Sequence, residues 1–256
     1  MTPLIFDIKR TSTNDGPGLR TVIFFKGCNL NCFWCHNPEG KKAERQMAFF
    51  AEKCVSCGVC QRVCPSPDKC VTCGTCARYC PAQARKCFGE EYNSAELLEV
   101  ICADRDYYSA TGGGVTFSGG ECMLYPDYLA DLARRCKENG ISVAVDTAGA
   151  VPYAHFEKLL PYTDVFLYDI KCLDSQLHRQ GTGVGNEIIL KNLERLRKEG
   201  KRILIRIPEI PGFSQGQEVE KVKAYCQTRN LPYEVLSYHE MGEGKRVALQ
   251  NMKAQG

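Results

Sequence analysis

Cysteine is the residue that most constrains this chain. The sequence has 256 residues and 17 cysteines, most of them in three short runs between positions 28 and 80. Secreted disulfide scaffolds are usually short and export-tagged, whereas thiols clustered at ligand spacing in a reducing compartment bind metal. The cysteine pattern therefore predicts a metalloprotein.

Two of the runs share one pattern. Residues 54–65 read C-V-S-C-G-V-C-Q-R-V-C-P and residues 70–81 read C-V-T-C-G-T-C-A-R-Y-C-P. Each is the C-x2-C-x2-C-x3-C-P run of a two-cluster ferredoxin, in which the fourth cysteine of each run ligates the other cluster. The predicted ligands are Cys54, Cys57, Cys60 and Cys80 for a first [4Fe-4S] cluster, and Cys70, Cys73, Cys76 and Cys64 for a second. A pair of zinc sites is the alternative, and the short spacer 65–69 leaves the occupancy of both clusters open.

The third run stops at three cysteines. Cys28, Cys32 and Cys35 have the spacing C-x3-C-x2-C. Three thiolates on a four-iron cluster leave one iron without a protein ligand. Substrates and cofactors bind at open positions on a metal, whereas saturated sites are structural or carry electrons. We therefore expect these three cysteines to form the reactive centre.

Strand and helix patterns alternate outside the cysteine-rich insert. Strands are predicted at 19–25, 114–118, 141–146, 164–170, 201–207 and 232–237, and helices at 94–106 (capped by Ser94), 126–139, 152–161, 186–199 and 216–229. Apolar, β-branched strands of this kind form a parallel sheet covered by helices. The prediction is an α/β fold: a partial (β/α)6 TIM-like barrel made of residues 1–47 and 91–256, with residues 48–90 inserted as a ferredoxin-like iron–sulfur module. A Rossmann sheet is the alternative, but no G-x-G-x-x-G lies between a strand and a helix.

The overall charge and hydropathy exclude some classes of protein. The net charge is only +3, with both signs mixed along the chain, which argues against nucleic-acid binding driven by bulk charge. No segment approaches the roughly 18 apolar residues of a membrane span, and the N-terminal residues do not have the pattern of a signal peptide. A cytoplasmic location is expected.

The C-x3-C-x2-C run, with Trp34 before its last cysteine, resembles the radical S-adenosylmethionine superfamily. Within it, "DGPGLRTVIFFKGCNLNCFWCHNPEG", "SATGGGVTFSGGE", "DTAG", "LYDIK", "IRIPEIPGFS" and "YHEMGEGK" look, in that order, like glycyl radical enzyme activating enzymes. The resemblance covers almost the whole chain and includes the insert, which the pyruvate formate-lyase activating branch lacks. It implies an oxidoreductase that cleaves S-adenosylmethionine reductively and abstracts a hydrogen from a backbone glycine of a partner glycyl radical enzyme.

The resemblance also implies a cofactor site. Cys28, Cys32 and Cys35 would hold a cluster whose open iron is chelated by S-adenosylmethionine. The residues expected around that cofactor are Trp34, His36, Asn37, Ser118, Gly119, Gly120, Glu121, Asp146, Lys171, Arg206 and His239. A monovalent cation is expected beside them, held by Asp146, Thr147, the Leu167 carbonyl and Asp169. Helix capping or a salt bridge at the barrel rim is the alternative for these acidic groups. The glycines between 112 and 120 are expected to let the backbone approach a ligand.

The expected partners are a glycyl radical enzyme and an electron donor such as flavodoxin or ferredoxin, and the expected state is a monomer. A radical enzyme acting on a small molecule and a pure iron–sulfur electron carrier are the alternatives. The insert disfavours a formate-lyase partner, but the sequence does not identify the enzyme that is activated.

Six cysteines lack ligand spacing and are expected to be small hydrophobes: Cys87, Cys102, Cys122, Cys136, Cys172 and Cys226. Cys87, just after the runs, is a candidate spare ligand.

Overall fold

The computed structural model describes residues 2–66 and 68–253. Its strands are β1 (Leu4–Ser12), β2 (Arg20–Phe25), β3 (Gln46–Phe49), β4 (Arg85–Phe88), β5 (Glu90–Glu91), β6 (Gly114–Gly119), β7 (Ser142–Thr147), β8 (Val165–Asp169), β9 (Ile203–Glu209) and β10 (Tyr233–Ser237). Its helices are α1 (Val59–Arg62), α2 (Thr75–Arg78), α3 (Ser94–Cys102), α4 (Arg105–Thr111), α5 (Pro126–Glu138), α6 (Tyr153–Leu159), α7 (Ser175–Thr182), α8 (Glu187–Lys198), α9 (Gln217–Gln227) and α10 (Met241–Lys253). No helix in these described ranges has the length and apolarity needed to cross a membrane.

The main sheet has eight strands in the order β10-β9-β8-β7-β6-β2-β1-β5. The six from β2 to β10 pair in parallel, and they are the six predicted strands. These six neighbours follow one another in chain order, as in a barrel, whereas a doubly wound sheet reverses its order at a switch point. The α/β fold and its partial (β/α)6 barrel are confirmed.

Two local predictions near the start of the barrel were wrong, and one strand was missed. Strand β1 was not predicted; it pairs antiparallel with β2, and β5 pairs antiparallel with β1. Helix 94–106 ends early at Cys102, and α4 follows it. The cap of α3 is Asn93 rather than Ser94, because the Asn93 side chain accepts from the backbone amides of residues 95 and 96 while Glu96 bonds back to the Asn93 amide.

The parallel strands separate an apolar outer face from a mixed inner face. Side chains alternate along a strand, so Val115 and Phe117 of β6 pack outward under the helices while Thr116 and Ser118 point inward. The inner face is apolar in its middle, where Ala144, Val165 and Leu167 form a small cluster with Leu204. At the carboxyl ends of the strands it carries Ser118, Asp146, Asp169 and Arg206. The polar inward residues therefore collect at one end of the barrel.

The cysteine-rich segment has its own two-stranded sheet. Strand β3 pairs antiparallel with β4, and the short helices α1 and α2 lie between them in the chain. Each of these helices follows a glycine in the left-handed region, Gly58 at φ 70° and Gly74 at φ 78°. Helix α10 packs on this sheet: Ala248 joins the apolar cluster of Phe6, Ala48 and Phe88. Helix α10 therefore connects the barrel to the segment that carries the two repeated runs.

Candidate functional site

The loop that carries Cys28, Cys32 and Cys35 leaves the carboxyl end of β2. Backbone bonds hold it on two sides: the amides of residues 27 and 28 donate to the carbonyls of residues 40 and 41, at 2.8 and 3.0 Å. On the other side, the amides of residues 31 and 33 donate to the carbonyls of residues 182 and 181, at 2.7 and 3.1 Å. The backbone between the cysteines is therefore fixed by residues 40 and 41, where the loop ends, and by the end of α7.

The three thiols of this loop lie close together and are largely covered. Burial, together with the charges of Glu121, Cys32 and Cys35, raises the pKa of Cys28 to about 12. Burial likewise raises the pKa values of Cys32 and Cys35. Grouped thiolates in such a place need positive charge, which a bound metal centre supplies.

An apolar wall covers one side of these thiols. The Trp34 ring lies 4.4 Å from the ring of Phe213 and 4.8 Å from that of Phe33, and Cys32 packs against the same cluster. A Cβ on Gly181 would lie 2.3 Å from Phe213, so glycine is required where α7 meets the wall. The structure thus places Trp34 in a wall that excludes water from the Cys32 side.

Two histidines stack beside the last cysteine. The rings of His36 and His239 are 3.9 Å apart and inclined by 21°, so the structure brings these two predicted residues together. Burial lowers the pKa of His36, and the charge of His239 lowers it further. Among the described residues, no group bonds the buried Nε2 of His36. A neutral imidazole nitrogen is therefore available there to a ligand.

The glycines that end β6 are explained by neighbouring backbone. A Cβ on Gly119 would lie 2.3 Å from the Phe25 amide nitrogen, and one on Gly120 would lie 2.2 Å from the Gly27 carbonyl oxygen. The Gly120 amide donates to the Phe25 carbonyl at 2.8 Å. The close approach is therefore between β6 and the cysteine loop, and contact of these glycines with a cofactor stays a prediction.

Glu121 ties the end of β6 to the end of β7. Its buried carboxylate accepts from Thr147 Oγ1 at 2.8 Å and from the amides of Met123 and Ala148 at 3.1 and 3.0 Å. Burial raises its pKa to about 7, although these bonds oppose the shift. Both carboxylate oxygens therefore have protein partners, and the Thr147 hydroxyl is committed to Glu121.

Charged groups pair inside the barrel at the same end. Asp146 accepts from Ser118 Oγ at 2.6 Å and lies 3.4 Å from Arg206 Nη1. Lys171 Nζ donates to Asp169 Oδ2 at 2.7 Å, and Asp169 raises the pKa of Lys171 against the effect of burial. Register places Asp146 opposite Leu167. The acidic groups expected to bind a cation thus form salt bridges, and the cation itself stays a prediction.

Sequence reasoning missed two acidic partners of Arg206. Its Nη1 lies 3.9 Å from Asp15 Oδ1 and its Nε lies 3.1 Å from Glu234 Oε1. Asp15 belongs to the loop after β1, and Glu234 lies on β10 beside Arg206 in register. No local pattern marks these residues, because each partner comes from a distant part of the chain.

Helix α10 closes over the cysteine loop and was also missed. Lys245 Nζ lies 2.6 Å from Glu39 Oε1 and 3.3 Å from Asn37 Oδ1, and Arg246 donates to the Phe33 carbonyl at 2.9 Å. A Cβ on Gly242 would lie 2.6 Å from the Cys35 carbonyl oxygen. The glycines at 242 and 244 hid this helix in the sequence, since glycine weakens a helical pattern.

The thiols of the two repeated runs lie in two groups. Cys54, Cys57, Cys60 and Cys80 line one cavity of about 290 Å³. Burial raises the pKa of Cys76, and the charges of Cys70, Cys64 and Cys73 raise it further. Cys80 thus lies with the first run and Cys64 near the second, and the binding of a cluster by either group stays a prediction. Within residues 2–66 and 68–253, no three His, Cys, Asp or Glu side chains converge on a single metal ion; a four-iron cluster instead meets each thiolate at a separate iron.

Comparisons with known proteins agree with this site. Residues 68–224 match the Radical SAM superfamily. The chain is 39% identical to the choline trimethylamine-lyase activating enzyme of Oleidesulfovibrio alaskensis, over 94% of this chain and 85% of that protein. It is 40% identical to the trans-4-hydroxy-L-proline dehydratase activating enzyme of Clostridioides difficile, over 96% and 87%. SuiB of Streptococcus suis, solved with its precursor peptide SuiA, shares the fold at a TM-score of 0.60 and 15% identity, over 91% of this chain and 43% of that chain.

The fold and the three-cysteine loop are those of a radical S-adenosylmethionine protein. More narrowly, the chain belongs to the glycyl radical enzyme activating enzymes, and it acts on a protein partner. A [4Fe-4S] cluster and S-adenosylmethionine come with the family. The residues present fit both groups, because three half-buried thiols that lie close together can hold a cluster, and the His36 Nε2, which bonds no group among the described residues, lies beside them.

The Lys245–Glu39 pair gives a test of how α10 holds the cysteine loop. Lys245→Ala should lower the apparent melting temperature of the reconstituted protein by several degrees, because the carboxylate of Glu39, only 2% exposed, loses its cation. Such a loss costs about 1–3 kcal/mol. Circular dichroism melting under anaerobic conditions measures it.

Glu39→Gln combined with Lys245→Ala should recover much of that loss, because a neutral amide needs no counter-charge. Lys223→Ala, whose partner Glu220 is exposed, is the matched control and should leave the melting temperature nearly unchanged. If Lys245→Ala and the Glu39→Gln/Lys245→Ala double variant lowered the melting temperature equally, Lys245 would not be compensating the charge of Glu39.

Proposed function

We propose that this activating enzyme removes one hydrogen from a backbone glycine of its partner, at the loop carrying Cys28, Cys32 and Cys35. The observation that carries the proposal is the group of three half-buried thiols at the carboxyl end of β2, in a chain whose relatives are activating enzymes. A set of three thiolates leaves one iron of a cubane for the cofactor.

Cys28, Cys32 and Cys35 would hold the site-differentiated cluster. Together the cluster and S-adenosylmethionine supply the hydrogen-abstracting radical chemistry when bound. The wall of Trp34 and Phe213 keeps water from one side of the site. The remaining residues proposed to contact the cofactor are His36, Asn37, Ser118, Gly119, Gly120, Glu121, Asp146, Lys171, Arg206 and His239.

The charges of the barrel interior would orient the cofactor. Lys171 is positioned to attract an anionic group. The residue is only 9% exposed, and its charge partly offsets the rise that burial causes in the pKa of the Cys32 thiol. A monovalent cation at Asp146, Thr147, the Leu167 carbonyl and Asp169 is part of this proposal. Its support is that burial and, in addition, the charge of Asp169 raise the pKa of Asp146, so the two carboxylates lie near each other.

Residues 48–90 are proposed as a two-cluster module that passes electrons from a donor protein, such as flavodoxin or ferredoxin, toward the barrel. Four of its thiols, Cys54, Cys57, Cys70 and Cys73, are exposed, which suits electron entry from a partner. Helix α10 contacts both parts: Asn251 donates to the Phe49 carbonyl at 3.2 Å, and Arg246 to the Phe33 carbonyl. Phe49 also lines the cavity of the first cysteine group.

Iron content tests the proposed clusters. The anaerobically reconstituted chain should bind about twelve irons, as three four-iron clusters. Replacing Cys28, Cys32 and Cys35 by alanine should remove about one third of the iron and abolish binding of S-adenosylmethionine, because only that cluster has an open iron. Cys102→Ala, outside every run, should change neither quantity. An unchanged iron content in the triple variant would remove the assignment of the radical cluster.

Replacement of Cys54, Cys57 and Cys60 by alanine tests the electron route. Cleavage of S-adenosylmethionine should continue with dithionite, which reduces the barrel cluster directly. Activation of the partner with reduced flavodoxin or ferredoxin should fall at least about tenfold, because the relay is broken. High-performance liquid chromatography of 5′-deoxyadenosine measures cleavage, and EPR of the glycyl radical on the partner measures activation. Normal rates with every donor would show that the insert is structural.

Deuterium transfer tests the function itself. The reduced enzyme is incubated with S-adenosylmethionine and a peptide copied from the glycyl radical loop of the enzyme encoded beside this chain, with its glycine α-deuterated. Mass spectrometry should find deuterium in 5′-deoxyadenosine, because the hydrogen abstracted is the α-hydrogen of that glycine. The same peptide with alanine in place of glycine is the control and should transfer little. No transfer from the loop, together with ready transfer from a small metabolite, would favour a small-molecule substrate instead.

A further inference from the structure

Cys87 lies against the second cysteine group of the insert, although no ligand spacing includes it. It is on β4, and its Sγ is 3.9 Å from the Thr72 carbonyl oxygen. A Cβ built on Gly74 would lie 3.4 Å from the Cys87 Cβ and 3.5 Å from its Sγ. The Cys87 sulfur therefore sits beneath the turn that carries Cys73, in contact with the residues on both sides of it.

Cys87 lies as a fifth thiol near the second cysteine group of the insert, which consists of Cys64, Cys70, Cys73 and Cys76. Burial raises its pKa, and the charges of Cys76 and Cys73 are among the causes that raise it further. Four of the other five cysteines without ligand spacing differ: Cys122, Cys136, Cys172 and Cys226 are fully buried in the apolar core, as expected of small hydrophobes, and Cys102 is half-buried outside the insert.

Cys73 and Cys87 differ in their exposure to solvent. Cys73 is exposed, and its Sγ lies 3.3 Å from Thr75 Oγ1, whereas Cys87 is half-buried between β4 and the turn. An exposed thiolate is the ligand that water and oxidants reach first. Cys70 and Cys73 are the two exposed ligands of this group, and Cys73 is the one whose turn has another thiol beneath it.

We propose that Cys87 is a reserve ligand of the second insert cluster. When Cys73 dissociates from its iron, the Cys87 thiolate binds that iron instead. The exchange breaks the iron–Sγ bond of Cys73 and forms one to Cys87. One proton passes through water from the Cys87 thiol to the departing thiolate, and no electron is transferred. The inference rests on the proposed two-cluster insert.

The first cysteine group provides the matched comparison. Cys57 is the counterpart of Cys73: each is the second cysteine of its run, and both are exposed. The cavity of the first group is lined by four cysteines, with Ala82, Ala84 and Arg85 contributed by the segment that leads to Cys87. Loss of Cys57 should therefore find no substitute among the residues lining that cavity, whereas loss of Cys73 should.

The test uses the chain in which Cys28, Cys32 and Cys35 are alanine, because the open radical cluster would itself give three-iron signals. This parent should bind about eight irons. In it, Cys73→Ala should keep about eight irons and show no three-iron EPR signal after mild oxidation. Cys57→Ala should lose iron or show that signal, and Cys73→Ala combined with Cys87→Ala should behave in the same way. Cys87→Ala alone should keep all the iron.

Two further measurements keep the result interpretable. Cys73→Ala combined with Cys102→Ala should match Cys73→Ala, because Cys102 lies outside the insert. Circular dichroism should show unchanged folding, since the exposed Cys73 side chain leaves no cavity. A Cys73→Ala variant that loses iron as Cys57→Ala does, or a Cys73/Cys87 double variant that keeps its iron, overturns the reserve ligand. Iron loss in Cys87→Ala alone overturns it as well. A parent with only about four irons overturns the two-cluster insert instead.

Discussion

The site depends on direct contact between two pieces of backbone, the cysteine loop after β2 and the end of β6. Gly119 and Gly120 have no side chains, so the Gly120 amide bonds to the Phe25 carbonyl and the Glu121 amide to the Gly27 carbonyl, both at 2.8 Å. A Cβ at either glycine would enter that contact. The position of the first thiol relative to the barrel interior is thus set by the sheet itself, without a flexible side chain between them.

The barrel interior then has to hold several charges away from bulk water. Ion pairs inside a protein are stabilising only when each charge is compensated and hydrogen-bonded. Arg206 is surrounded by Asp15, Asp146 and Glu234, and Lys171 pairs with Asp169. These carboxylates come from a loop and from three different strands. The curvature of the parallel sheet is what brings them within reach of the two cations.

Helix α10 makes the barrel and the insert mechanically dependent on each other. Its first turns contact the cysteine loop through Lys245 and Arg246, and its last turns contact β3 and β4. A change at the insert can therefore be transmitted to the loop that holds Cys35. The proposed electron route through residues 48–90 requires such a fixed relation, because transfer between centres depends on a constant separation.

Local sequence by itself determined the six parallel strands, five of the helices that cover them and the grouping of the cysteines. Alternating apolar segments and ligand spacing are properties of neighbouring residues, so they can be read without the fold. Only the tertiary structure decided that β1 extends the sheet, that α10 covers the cysteine loop and that Asp15 and Glu234 neutralise Arg206. It also decided that Cys87 lies beneath Cys73. These contacts join residues far apart in the chain, and their geometry exists only once the strands have closed around a common interior.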